Sequence, residues 1–164
     1  MALRMAAEAS DRVAAVAAIA ATVSEALTSL VPPMPVPILF MNGTADPIVP
    51  YDGGVVRALG RSLGIVRSTE ESLAWWRQVN GCSDDARREE VPDEAVGDGA
   101  RTSVVRYEHC SSGAPVVLYR IEGGGHAWPG GAAYASRALI GNVTGDFDGA
   151  EAIMAFFAHF VRVP

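Results

Sequence analysis

The sequence predicts an α/β fold with a mostly parallel sheet flanked by helices. Three short apolar runs, at residues 13–20, 38–41 and 115–121, are continuous rather than alternating, as in strands that are buried on both faces of a sheet. Segments of helical composition or spacing separate these runs, and strands that alternate with helices favour parallel pairing. At 164 residues the chain is expected to form a single domain, residues 1–164.

The first half of the chain begins with helix-forming composition at residues 1–9, which predicts a short amphipathic helix before the strand at 13–20. The proline-rich residues 32–37 cannot donate to a strand ladder, so they predict a connector. A buried strand at 38–41 follows this connector. Residues 55–59 are predicted to form a short helix.

The second half contains two helix signals and one further strand. Ser68 and Glu71 have the spacing of a capping box, and the helix that they open is expected to end at Gly81. Residues 104–107 predict a strand that pairs with the third apolar run. Asp148 is expected to begin a terminal helix. Its apolar residues follow helical spacing: Ile153, Met154, Phe156, Phe157, Phe160 and Val161.

Composition excludes several classes of function. The formal net charge is −6, and all 13 basic residues are arginine. The lack of lysine excludes Schiff-base chemistry and a phosphate-loop lysine, and the lack of a basic cluster argues against nucleic acid or an anionic membrane surface as partner. We expect neither a cofactor nor a metal site. Arg4 followed by the apolar residues 13–21 resembles a signal peptide, but Glu8, Asp11 and Arg12 interrupt the approach to this run, which is also too short to span a bilayer. A buried strand is therefore favoured.

Two cysteines flank the most acidic segment, which is predicted to be a solvated loop. Cys82 and Cys110 could form a disulfide in an exported protein or remain as two buried thiols. A zinc site that combines them with His109 would lack paired ligand spacing and a fourth ligand.

Two loops carry the candidate chemistry. Residues 123–130 (GGGHAWPG) follow the third apolar run, and their glycines permit close backbone approach beside His126. Residues 42–51 (NGTADPIVPY) follow the strand at 38–41 and carry Asp46. Ligands of such sheets bind beyond the carboxyl ends of the strands, so the two side chains should meet at one edge. The alternatives are an ordinary Asx turn at Asp46 and a surface histidine.

One further string matches the letters of a nucleophile elbow, G-x-S-x-G, at residues 60–64 with Ser62 in the centre. An elbow needs a strand directly before it and a helix directly after it. The next predicted helix begins several residues later, so a glycine-bounded surface turn is the alternative for Ser62.

The two loop motifs, the stretch at residues 76–82 and the terminal helix resemble the polyhydroxybutyrate depolymerase and feruloyl esterase group of α/β-hydrolases. The resemblance implies an α/β-hydrolase fold in which Asp46 is the acid and His126 the base of a Ser-His-Asp triad. It also implies an exported, secreted or periplasmic, protein with Cys82 and Cys110 bridged. Members carry the serine on an elbow just before a helix like residues 1–9, so the elbow and the early strands are expected to be missing here.

The first functional hypothesis is therefore a serine esterase for small-molecule or polymeric esters, with Trp128 and Tyr51 lining the substrate pocket. The second is a non-catalytic α/β module that is stabilised by self-association as a homodimer, because a missing neighbour would leave the strand at 13–20 as an unpaired edge. A third is an unusual hydrolytic site built by the dimer or by Ser62.

Overall fold

The computed structural model describes residues 1–160. The strands are β1 (Val16–Ile19), β2 (Ile38–Gly43), β3 (Gly54–Ala58), β4 (Arg61–Val66), β5 (Arg87–Glu90), β6 (Arg101–Tyr107) and β7 (Val116–Glu122). The α-helices are α1 (Ala2–Glu8), α2 (Thr69–Asn80), α3 (Arg137–Ile140) and α4 (Gly149–Phe157).

The main sheet has five strands in the order β1-β2-β7-β6-β5. β1, β2 and β7 are parallel, whereas β6 and β5 continue the sheet in antiparallel fashion. The sheet is therefore mixed, and the expected mostly parallel arrangement holds for its β1-β2-β7 part. The physical reason is the short connection from β6 to β7, since a parallel pair would need a long crossover. An α/β architecture results, with β2 in the centre of the parallel part.

All six residues of β2 are buried, because helices cover both faces of the sheet. Ile38 and Phe40 pack in the cluster that contains residues of α1 and α2. Leu39 and Met41 pack in a second cluster with α4. This alternation with a period of two residues explains why β2 is apolar along its whole length.

Several local predictions are confirmed. Helix α1 and strands β1, β2, β6 and β7 lie where the sequence predicts them, and Asp148 caps α4. The capping box of α2 is complete, and Gly81 ends the helix in the left-handed conformation. Hydrogen bonds from the backbone and side chain of Ser68 lower the pKa of Glu71. Helix α4 ends at Phe157, so the predicted helical residue Phe160 lies beyond its end, and Val161 lies outside the described residues.

The predicted helix at 55–59 is wrong: this segment forms β3, which pairs with β4 in an antiparallel hairpin. The turn residues Leu59 and Gly60 both have positive φ, as in the tight turns that match the twist of a hairpin. Ser62 consequently lies within β4 opposite Arg57, with its side chain exposed rather than at the tip of an elbow. The acidic segment is also not wholly a loop, because Arg87–Glu90 forms the edge strand β5.

The structure joins Cys82 and Cys110 in a disulfide, as the resemblance implied. This bond connects the end of α2 to the turn between β6 and β7. Within residues 1–160, no group of three or more His, Cys, Asp or Glu side chains could hold a metal ion. No helix in the same range is both long enough and apolar enough to cross a membrane.

Candidate active site

Asp46 and His126 lie in contact although 80 residues separate them in the sequence. The distance from His126 Nδ1 to Asp46 Oδ2 is 2.9 Å. Both residues follow the carboxyl ends of neighbouring parallel strands, Asp46 after β2 and His126 after β7. The parallel pairing of these strands is what brings the two loops to one edge of the sheet.

The carboxylate of Asp46 is fixed from two sides. Its Oδ1 accepts hydrogen bonds from the N–H groups of Ile48 at 2.7 Å and Val49 at 2.8 Å. Its Oδ2 contacts the imidazole, and the side chain is only 2% exposed. The Asx-type turn considered as an alternative is thus present together with the histidine contact. A buried carboxylate held in this way can orient the imidazole and stabilise its cationic form.

Glycines allow the two loops to touch through their backbones. A Cβ atom on Gly43 would lie 2.2 Å from the carbonyl oxygen of Gly124. A Cβ atom on Gly125 would lie 2.0 Å from the carbonyl oxygen of Ile140. Any side chain at these positions would push the loops apart, so the glycine run beside His126 serves close backbone packing.

The backbone of His126 is held at both of its polar groups. Its N–H donates to the carbonyl oxygen of Ile140 at 2.6 Å. Its carbonyl oxygen accepts a hydrogen bond from the Tyr134 hydroxyl at 2.8 Å. The side chain is 27% exposed, and Nε2 makes no hydrogen bond to any described residue. The second ring nitrogen is therefore available to a reacting group.

A cleft of about 400 Å³ lies beside the imidazole. Its lining residues are mostly apolar: Ile19, Ala20, His126, Ala127, Trp128 and Tyr134. Ala20 leaves β1 with a φ of 48°, a conformation that is costly for a residue with a Cβ atom and that recurs at functional sites. No serine, threonine or cysteine among the described residues lines this cleft.

The structure separates the two predicted pocket residues. Trp128 lines the cleft and is 46% exposed. Tyr51 does not line it: this residue is buried, its hydroxyl donates to Glu70 at 2.9 Å, and its carbonyl oxygen accepts from the N–H of Thr69. Burial, followed by the nearby Glu70 carboxylate, raises the pKa of Tyr51 above its ordinary value. Tyr51 thus anchors the Asp46 loop to α2.

Sequence reasoning missed Tyr134, which contacts both the cleft and the backbone of His126. The available signal was an isolated aromatic residue in a loop of small residues directly after the GGGHAWPG motif. That signal could not indicate which backbone group the hydroxyl would reach.

Comparison with known proteins shows that more than half of this chain is similar in sequence to proteins that are named as esterases. The candidate esterase NocK of Nocardia uniformis subsp. tsuyamanensis is 35% identical over 147 residues, which are 86% of this chain and 42% of NocK. Feruloyl esterase B of Piromyces equi is 30% identical over 96 residues, 58% of this chain and 16% of that enzyme. The chain thus spans less than half the length of either relative. No family model matches the sequence.

Proposed function

We propose that this protein acts as a carboxylic-ester hydrolase, with Asp46 and His126 as the acid and base of a Ser-His-Asp triad. The observation that carries the proposal is the 2.9 Å contact between Nδ1 and the buried carboxylate, at the wall of an apolar cleft. Similarity to two proteins that are named as esterases supports the same class of reaction.

In this mechanism Nε2 of His126 removes the proton from a hydroxyl nucleophile. The hydroxyl oxygen forms a bond to the ester carbonyl carbon, and the bond to the leaving alcohol then breaks as Nε2 returns the proton to that alcohol. Nε2 then removes a proton from a water molecule, whose oxygen attacks the acyl intermediate. The bond to the nucleophile breaks as Nε2 returns the proton to it, and the carboxylic acid is released. Asp46 keeps the imidazole in the tautomer with its proton on Nδ1 and stabilises the imidazolium.

We assign the nucleophile to a residue outside the described lining of the cleft, since that lining contains no serine, threonine or cysteine. Ser62 is exposed within the β3-β4 hairpin and is not part of the lining.

The substrate that fits the cleft is an uncharged ester with an aromatic or aliphatic group. Trp128 provides a broad apolar ring surface, and Ile19 and Ala20 provide an aliphatic floor. Small esters and the exposed ends of polyesters or feruloyl esters belong to this class. A disulfide is typical of oxidising compartments, so we extend the proposal to a secreted or periplasmic location.

The test measures hydrolysis of 4-nitrophenyl acetate by the wild type and by His126→Ala. The matched control is His109→Ala, because His109 also faces an aspartate, Asp85 at 3.5 Å, but on an exposed surface. We expect His126→Ala to lose about 10²–10⁴-fold in rate, the usual contribution of a general base, and His109→Ala to retain the wild-type rate. Equal rates for wild type and His126→Ala would refute the proposal. A fluorophosphonate label followed by peptide mapping would identify the nucleophile.

A different observation favours a second candidate function, self-association. Among the described residues, β1 has a strand neighbour on one side only. Val16 and Ala20 donate their N–H groups to the β2 side, so the alternate residues Ala17 and Ile19 direct theirs to the open edge. A groove of about 320 Å³ is lined by residues of α1, of β1 and of the segment that follows β1. Thr22 is one of these lining residues, and its buried hydroxyl has no hydrogen-bond partner.

We propose that a second copy covers this edge by pairing β1 with β1 about a two-fold axis. Sedimentation velocity of the wild type should then show a dimer. Ala17→Pro removes one outward N–H without removing a donor to β2 and should give a monomer, whereas Ala17→Val should remain dimeric. A monomeric wild type at micromolar concentration would exclude this function.

A further inference from the structure

We propose that Tyr134 is a positioning residue for His126 and also forms one wall of the cleft. A ligand that lies against the Tyr134 ring would then affect the position of the imidazole through the hydrogen bond from the Tyr134 hydroxyl to the backbone carbonyl of His126. The kinetic part of this inference rests on the proposed ester hydrolysis. The structural part rests on the contacts of Tyr134 alone.

Tyr134 makes two kinds of contact that no other described side chain combines. Its hydroxyl donates to the carbonyl oxygen of His126 at 2.8 Å, and the residue lines the same cleft as the imidazole and Trp128. A ligand in the cleft and the backbone of His126 are therefore connected through a single rigid ring.

A backbone hydrogen bond joins the first and last residues of the loop from His126 to Ile140. The N–H of His126 donates to the Ile140 carbonyl at 2.6 Å, and Ile140 is only 2% exposed. One backbone group of His126 is thus attached to the protein interior. The other is attached to Tyr134, which is 64% exposed and so is held mainly by this hydrogen bond and by the cleft wall.

Tyr134 contributes little to the folded core. It belongs to neither of the two clusters of buried apolar residues, and most of its surface is open to solvent. Substitution at this position should therefore leave global stability almost unchanged. An effect on His126 can then be separated from general unfolding.

The experiment compares Tyr134→Phe, Tyr134→Ala and the loop control Leu139→Ala. Tyr134→Phe keeps the ring and removes the hydrogen bond, so kcat for 4-nitrophenyl acetate should fall about three- to tenfold at nearly constant KM. Tyr134→Ala also removes the cleft wall and should raise KM several-fold. Leu139 is 61% exposed and does not line the cleft, so its variant should match the wild type.

A second measurement needs no turnover. The proton on Nδ1 of His126, which lies between the ring and Asp46, should give a downfield NMR resonance that shifts or broadens in Tyr134→Phe and stays unchanged in Leu139→Ala. If the wild type does not hydrolyse the ester, the proposed function fails, and this resonance alone decides the role of Tyr134. A resonance and a kcat that both match the wild type in Tyr134→Phe would overturn the inference.

Discussion

Substitution of Gly125 by alanine is the most direct probe of how the loop before His126 is packed. An added Cβ atom would lie 2.0 Å from the carbonyl oxygen of Ile140 and 2.5 Å from the Cα atom of Gly141. Ordinary contacts begin near 3.4 Å, so the two backbone segments must separate by about 1.4 Å. The atoms that oppose the methyl group are backbone atoms, which cannot move aside as a flexible side chain would.

This separation would break two hydrogen bonds that cross the same gap. They join the N–H of Gly125 to Asn142 at 2.9 Å and the N–H of His126 to Ile140 at 2.6 Å. Loss of each costs about 1 kcal/mol, and overpacking adds about 1–3 kcal/mol, so the free energy of unfolding should fall by about 3–5 kcal/mol. A displacement of His126 by about 1 Å would in addition reduce the proposed ester hydrolysis about 10²-fold.

The assay is urea unfolding followed by tryptophan fluorescence, with the NMR resonance of the His126 Nδ1 proton as a local probe. Gly131→Ala is the matched control in the same loop, because its Cβ atom would meet its nearest neighbour, the Trp128 carbonyl oxygen, at 3.1 Å and needs only a small adjustment. We expect the control to lose less than about 1 kcal/mol. If Gly125→Ala keeps both the urea unfolding midpoint and the His126 Nδ1 proton resonance of the wild type, the backbone packing between Gly125 and Ile140 is refuted.

Two further predictions concern other parts of the fold. Replacing Cys82 and Cys110 by serine opens a loop with a sequence separation of 28, so the free energy of unfolding should fall by about 3–4 kcal/mol. The double variant should be as stable as the wild type under reducing conditions. An unchanged free energy of unfolding would argue against the disulfide. Hydrogen bonds from Ser68 lower the pKa of Glu71 from its ordinary value, so the stabilisation is present above that ordinary value and is lost as the pH falls through the lowered pKa of the folded state. Wild type should therefore be more stable than Glu71→Gln at pH 7 and lose this advantage once the pH falls below the lowered pKa, whereas a difference in thermal unfolding that stays constant with pH would contradict the capping interaction.

The sequence by itself determined the features that depend on local pattern. Continuous apolar runs identified β1, β2 and β7, and the spacing of Ser68 and Glu71 identified α2. The expectation that Asp46 and His126 share one edge also follows from the sequence, because the carboxyl ends of parallel strands always lie on the same side of a sheet. These predictions succeed because each needs only the strand or helix period and the direction of neighbouring strands.

Only the tertiary structure decided features that depend on the path of a loop or on a contact between distant residues. Residues 55–59 contain too few positions to distinguish a strand from a helix, and pairing with β4 settles their conformation. Tyr51 and Tyr134 are both aromatic residues in loops, yet one is buried against Glu70 and the other reaches the carbonyl of His126. The physical reason is that a side-chain hydroxyl is satisfied by whichever polar group the folded backbone brings within 3 Å, and sequence distance does not encode that proximity.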